Sequence, residues 1–393
     1  MRLAERMDSV GAEIAFEYYG RARALEATGR HVIHFEVGEP DFDTTDNVRA
    51  TAKRALDDGF THYSPTEGLA ALREALAEDS TLRRGFPVEP ASVMVTPGAK
   101  LAMFLVLLAV AQPGDEVIYP DPGFPMYRQV ARYVGAKAVP LPLRQENGFR
   151  LDPDELASLV TPRTRLIILN SPANPTGGAL TRSDLESIAA VAREHDLLVM
   201  ADEIYGRILY EGEHLSIAAL PGMQERTIVV DGFSKTYAMT GWRLGYLILP
   251  PAMVAAFGRL MFNSVSSTAT FSQMAAVQAL RGPQDAVVNM VAEFRARRDL
   301  VVAGLNAIPG LECLMPQGAF YVFPSVKATG LTGAEFADRL LQEGGVSVLP
   351  GIAFGDAAEH NFRISYACSR ATLEEGLERI RDVALHLATP AAR

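Results

Sequence analysis

Between residues 92 and 249 short apolar runs alternate with longer amphipathic stretches. The apolar runs lie at 93–96, 116–119, 166–169, 197–201, 227–231 and 244–249. They are nearly continuous in Val, Ile, Leu and Met rather than alternating, the pattern of strands buried on both faces. Between them the spacing predicts helices at 99–111, 124–134, 152–160 and 182–195, the last opened by a Thr181 cap. A further extended stretch covers 137–143. Strands and helices in this alternation predict an α/β fold, a mainly parallel sheet covered by helices on both faces. Upstream, 1–33, 46–58 and 69–84 read as helices, with 12–27 rich in Ala, Glu, Arg and Tyr and with Leu69, Leu72 and Leu76 on one face, and 35–42 reads as a strand running into a Gly/Pro turn. Downstream, a long helix through 284–306 precedes strands near 319–323, 346–349 and 362–366 and helices at 333–343 and 371–388. That change of rhythm predicts a smaller α+β domain at 286–393. The expected division is an N-terminal segment at 1–45 packing with this domain, and a large domain at 46–285.

At 393 residues the chain is too long for one core, which agrees with two domains. A net charge of −10 argues against a nucleic-acid or anionic-membrane partner, since both select basic surfaces. The two cysteines, Cys313 and Cys368, form no CxxC pair, so neither a disulfide framework nor a zinc site is expected, and a reducing cytoplasm fits. The first six residues have no apolar core, so no signal peptide is expected. The longest apolar run, 101–111, is too short to cross a bilayer. Phosphate-loop, dinucleotide and zinc-protease motifs are absent, and the seven histidines have no metal-ligand spacing.

In open α/β sheets, ligands sit at the C-terminal ends of the strands. Lys235 lies just past the 227–231 run, on a loop that also carries Ser234 and Arg243. A partly desolvated lysine near other cations has a lowered pKa, and its neutral amine attacks aldehydes. Ser234 and Arg243 suit a phosphate, one as a hydroxyl donor and one as a planar fork. A lysine Schiff base beside a phosphate site is what pyridoxal 5′-phosphate (PLP) requires.

The other strand ends add weaker signals. Gly98, Ala99 and Lys100 open a helix where small residues let backbone N–H groups approach an anion, although such helix starts are common. Phe124 could stack on a flat ring or be an ordinary core residue. Asn174 sits in a strong Asn-Pro-Thr-Gly turn and could also donate to an oxyanion. Asp202 ends an apolar strand, as a helix cap or as a buried carboxylate that needs a cation such as a pyridinium. Tyr205 lies three residues on. Arg363, between apolar neighbours, would take a carboxylate in its fork.

Together with Gly38-Glu39-Pro40, Asn174-Pro175-Thr176-Gly177, Asp202-Glu203-Ile204-Tyr205, Gly241-Trp242-Arg243, Gly318-Ala319-Phe320-Tyr321 and Arg363-Ile364-Ser365-Tyr366, these residues resemble the class I/II aminotransferases of PLP fold type I. Within them, the likeness is greatest to the bacterial aspartate aminotransferase branch. The resemblance covers nearly the whole chain. It implies that Lys235 links to the PLP aldehyde and Asp202 pairs with the pyridine nitrogen. Tyr205 and Asn174 would bond the ring's 3-oxygen, and Phe124 would stack on the ring. Gly98, Ala99, Lys100, Ser234 and Arg243 would surround the phosphate. Arg363 would take the substrate carboxylate, helped by Asn174 and the Gly38 backbone. Tyr63 would reach the phosphate of a neighbouring subunit, making a homodimer with its active site at the subunit interface. A cis Asn174–Pro175 bond is also implied. Many relatives carry Trp or Tyr where this chain has Phe124. The implied reaction moves an amino group from an L-amino acid to a 2-oxo acid such as 2-oxoglutarate. A β-lyase or decarboxylase on the same scaffold, or a PLP-binding regulatory module, are the alternatives.

Overall fold

A computed structural model describes residues 2–11 and 14–388. In chain order the elements are α1 (Ile14–Glu26), β1 (Ile33–His34), α2 (Asp46–Asp57), α3 (Ala70–Arg84), β2 (Val93–Thr96), α4 (Ala99–Val110), β3 (Glu116–Asp121), α5 (Met126–Tyr133), β4 (Lys137–Pro142), α6 (Pro153–Leu159), β5 (Thr164–Asn170), α7 (Arg182–Glu194), β6 (Leu198–Asp202), β7 (Thr227–Gly232) and β8 (Gly245–Ile248). The remainder comprises α8 (Val254–Val265), α9 (Thr270–Arg281), α10 (Asp285–Asn306), β9 (Tyr321–Val322), α11 (Gly333–Arg339), β10 (Val346–Ser347), β11 (Leu349–Pro350), β12 (Phe362–Ser365) and α12 (Arg370–Ala388).

Seven strands form the main sheet in the order β2-β8-β7-β6-β5-β3-β4. All run parallel except β8, which is antiparallel to both β7 and β2. The segment joining β7 to β8 contains no crossover helix, and without one the chain returns antiparallel. Leu166–Leu169, Val199–Ala201 and Ile228–Val230 are buried on both faces of the sheet. Each such aliphatic side chain contributes about 1.5–3 kcal/mol over an exposed one. The Thr181 cap is a reciprocal box: Asp184 N donates to Thr181 Oγ1 at 3.2 Å, and Thr181 N donates to Asp184 Oδ2 at 2.8 Å. The helix behind it buries Leu185, Ile188, Ala189 and Ala192 at helical spacing.

A three-stranded antiparallel sheet, β11-β12-β9, and a parallel pair, β1-β10, lie beyond the main sheet. The β1-β10 pair ties the N-terminal segment to the C-terminal third, with Ile33 opposite Val346. One apolar cluster runs from the main sheet into these strands, taking in Met94, Ile168, Tyr321 and Phe362.

The structure departs from the sequence pattern in a few elements. The strand expected at 35–42 is β1, two residues earlier and only two long. Phe35 still pairs with Ser347 and Ser365 through backbone bonds, before Gly38-Glu39-Pro40 turns the chain away. Residues 346–349 form two strands that join different sheets. Helices α8 and α9 fall where no element is expected from the sequence: α9 buries mainly small side chains (Ala275, Ala276, Ala279), and Phe262 on α8 is 61% exposed. The helix expected over 1–33 is instead a short 3-10 turn at Glu5–Ser9 and then α1, which ends at Glu26 before Ile33 enters β1; residues 1 and 12–13 lie outside the described residues.

Candidate active site

A cavity of about 520 Å³ opens at the C-terminal ends of β5 and β6, beside the loop after β7, and is closed on its far side by β11 and β12. Gly38, Ala99, Lys100, Phe124, Asn174, Asp202, Tyr205, Ser234, Lys235, Arg243 and Arg363 all line it. Two of the expected residues do not. Gly98 stands just behind the wall, and Tyr63 is 89% exposed, away from the cavity of its own chain.

Lys235 follows β7 on a short turn in which Met239 N donates to Ser234 O. Its Nζ donates to Gly38 O at 2.5 Å. Burial, then the Arg363 and Arg243 cations, push this amine down to about 8 against the pull of Glu39 and Asp202. Asp202, at the end of β6, is 3% exposed. Its Oδ2 accepts from Tyr127 Oη at 2.6 Å and its Oδ1 from Ile204 N at 3.2 Å. Burial lifts its carboxyl to about 7, opposed by those two bonds and reinforced by the charges of Asp231 and Glu203. Among the described residues no cation pairs with it, so the cavity holds a buried carboxylate whose natural partner would be a cationic ligand atom.

Arg363, on β12, donates through Nη1 to Asn174 Oδ1 at 3.0 Å and through Nη2 to Glu36 O at 2.6 Å. Its guanidinium lies between the rings of Tyr321 (4.4 Å) and Phe354 (4.9 Å), which hold the fork's plane. Asn174 spends its oxygen on Arg363, leaving its amide N–H groups for a ligand. The Asn174–Pro175 bond is cis, as the resemblance implies. Tyr205 Oη and Tyr321 Oη share a hydrogen bond of 2.8 Å, and burial holds the Tyr205 phenol well above its usual range.

On the opposite wall, Gly98 caps α4 with φ 87°. A side chain there would overlap the Arg243 guanidinium, so the loop cation rests directly on the helix start. The α4 helix-end dipole, the Ser234 hydroxyl and Arg243 face the cavity together, a set that would make an anion cradle. Phe124 presents its ring beside Lys100, whose Nζ is 5.5 Å from the centroid.

Several lining residues carried no sequence signal of their own. Tyr127, fully buried behind the wall one turn beyond Phe124, carried none either. Tyr321 lies in the quoted Gly-Ala-Phe-Tyr motif without an assigned role. Ile14, Phe16 and Tyr19 bring α1 to the cavity mouth from more than 200 residues before Lys235, and nothing in their local pattern marks them.

The family pattern of aminotransferase class I and II matches residues 30–380. This chain belongs to that family. The aminotransferase is 43% identical over 387 residues to aromatic-amino-acid aminotransferase 2 of Thermococcus litoralis, covering 98% of each chain. It is equally identical, with the same coverage, to an aspartate aminotransferase of Pyrococcus abyssi. The crystal structure of the Rhizobium meliloti aspartate aminotransferase superposes on it with a TM-score of 0.94 at 38% identity, covering 98% of this chain and 99% of that one. The mainly parallel sheet with helices on both faces is therefore that of fold type I. Enzymes of this class use PLP, and the protein is a PLP-dependent transaminase acting on small molecules.

Proposed function

We propose that this aminotransferase transfers the amino group of aspartate to 2-oxoglutarate in a ping-pong cycle. The observation that carries the reading is the presence, in one cavity, of a lysine amine lowered to about 8 and a buried carboxylate that has no cationic partner among the described residues. That set fits PLP. Asp202 would meet the ring nitrogen, Tyr205 and Asn174 the 3-oxygen and Phe124 the ring face. Gly98, Ala99, Lys100, Ser234 and Arg243 would hold the phosphate. Bound PLP supplies an aldehyde to carry the amino group and a ring that draws electrons from the substrate carbon.

The chain's own groups do the rest. Arg363 binds the α-carboxylate in a bidentate fork, aided by the Asn174 amide and the Gly38 backbone. This fixes the Cα–H bond relative to Lys235. The Lys235 amine, partly neutral near pH 8, takes that proton and returns one on the cofactor side, as base and then acid. Asp202 would pair with the ring nitrogen as a carboxylate and would favour the nitrogen's protonated form. Lys100 at the α4 start would meet a distal carboxylate, and two of the three relatives named above are aspartate enzymes by name.

On the resemblance, we also read the active unit as a homodimer working in the cytoplasm, with Tyr63 reaching the partner's phosphate site, and the chain as divided at 45 and 285. Among the described residues no helix is long and apolar enough to cross a membrane.

Turnover of a panel of amino donors with 2-oxoglutarate and with pyruvate tests the substrate. Aspartate should give the highest kcat/KM, and Lys100→Ala should lower it more for aspartate than for aromatic donors. A preference for an aromatic or basic donor would overturn aspartate while leaving transamination intact. Lys235→Ala should lose the lysine-linked absorbance of the cofactor and about 10²–10⁴-fold in turnover.

A further inference from the structure

The geometry points to Tyr127 as a positioning residue: its phenol donates to Asp202 and keeps that carboxylate ionised and aimed at the cofactor's ring nitrogen. The inference rests on the reading that Asp202 meets that nitrogen. Tyr127 sits in the first turn of α5 and is completely buried. Its hydroxyl donates to Asp202 Oδ2 at 2.6 Å, the length of a charge-assisted bond. Its ring stands edge-on to Phe124, with centroids 5.7 Å apart and planes at 81°. One side chain thus supports both the nitrogen's acid and the ring's stacking partner.

The groups facing Asp202 do not share this effect. From β7 comes Asp231, and on Asp202's own segment lies Glu203; both are negative and disfavour a second charge. Tyr205 is a phenol that bonds Tyr321 instead. Lys235, from the loop beyond β7, points its amine at Gly38 O. Asn170, on β5, gives its amide to the Asp202 backbone oxygen at 3.1 Å rather than to the carboxylate. Apart from the Ile204 backbone N–H, the phenol of Tyr127 is therefore what holds the carboxylate's charge and rotamer. Burial and Asp202 raise the Tyr127 phenol well above its usual range, so it remains a donor at any working pH. A neutral Asp202 could not pair with a protonated ring, and the nitrogen would lose its proton.

Tyr127→Phe keeps the ring and its edge contact and removes only the hydroxyl. In the PLP-free protein, the acid C=O band of Asp202, assigned through Asp202→Asn, is followed against pH by difference infrared spectroscopy. The wild-type midpoint is expected near 7. In Tyr127→Phe it should rise by about one unit or more. The dissociation constant of PLP should rise roughly tenfold, the same increment expressed as binding. An analogue with carbon in place of the ring nitrogen should bind both proteins equally. Tyr127→Leu, which also loses the edge contact, should weaken both ligands. In wild-type protein grown with 3-fluorotyrosine, whose phenol is a stronger donor, the midpoint should fall. This measurement stands even if the variants fold poorly. An unmoved midpoint, or equal weakening of PLP and the carbon analogue by Tyr127→Phe, would show that the phenol only packs and would overturn the inference. Failure of the wild-type protein to bind PLP would instead overturn the functional reading and leave the infrared midpoint to decide the Tyr127–Asp202 coupling.

Discussion

Lys235 keeps its amine where a positive charge is costly. Its folded pKa of about 8 lies below the 10.5 of a free lysine. Between those values the unfolded chain binds more protons than the folded one, so this group makes stability rise with pH across that window. Below pH 8 the burial cost is carried in full. Asp202 has the reverse sign: lifted from 3.8 to about 7, it lets the folded protein bind more protons, and its cost appears as pH rises through that range. Lys235→Met removes the charge and keeps the bulk. The PLP-free variant should be more stable than wild type at pH 7 by an amount on the order of a few kcal/mol. That advantage should shrink by pH 10, as read from urea denaturation at both values. An equal advantage at both would mean that packing, not charge, sets it. Lys235 and Asp202 were legible because chemistry-bearing residues ended apolar runs. Tyr127 and Tyr321 were not, since a buried aromatic on a helix or strand looks the same whether or not its hydroxyl meets a carboxylate.

At the scale of elements, the proposed anion cradle depends on how closely β8 passes the start of α4. A side chain on Gly245 would overlap Ala99 N and the Gly98 carbonyl carbon. Behind this, Arg84 at the end of α3 donates to Glu203 at 2.6 Å and Asp231 at 2.5 Å, joining β6 to β7 through a buried ion cluster. Gly245→Ala should therefore push the helix start off its seat and weaken PLP binding about tenfold, since overpacking of this kind costs about 1–3 kcal/mol. Gly241→Ala, where a side chain meets open space, should leave the affinity unchanged. Absorbance titration with PLP measures both, and equal loss in the two variants would contradict the seat. The strands themselves were legible from their continuous Val, Ile and Leu. The antiparallel course of β8 showed not in the strand's own residues but in the missing crossover helix between β7 and β8.

The whole molecule joins residues that are far apart in the chain. Arg363 bonds Glu36 O across 327 positions, and β1 pairs with β10. The proposed dimer extends this to a second chain. Tyr63 is 89% exposed, as a residue that works on a partner's site would be in a single chain. Sedimentation should give the mass of two chains. Tyr63→Phe should weaken PLP binding about tenfold, through loss of one hydrogen bond to a charged group worth about 1.5–3 kcal/mol. A monomer with full PLP affinity would refute the assembly.

What the sequence determined by itself was the layered α/β fold and the identity of the groups at the strand ends. Burial on both faces forces apolar continuity, and catalytic types stand out against it. What only the tertiary structure decided was which of those groups touch: that Asn174 spends its oxygen on Arg363, that Tyr127 holds Asp202, and that α1 reaches the cavity mouth. Contacts between distant segments depend on how elements pack in three dimensions, and local periodicity carries no record of that.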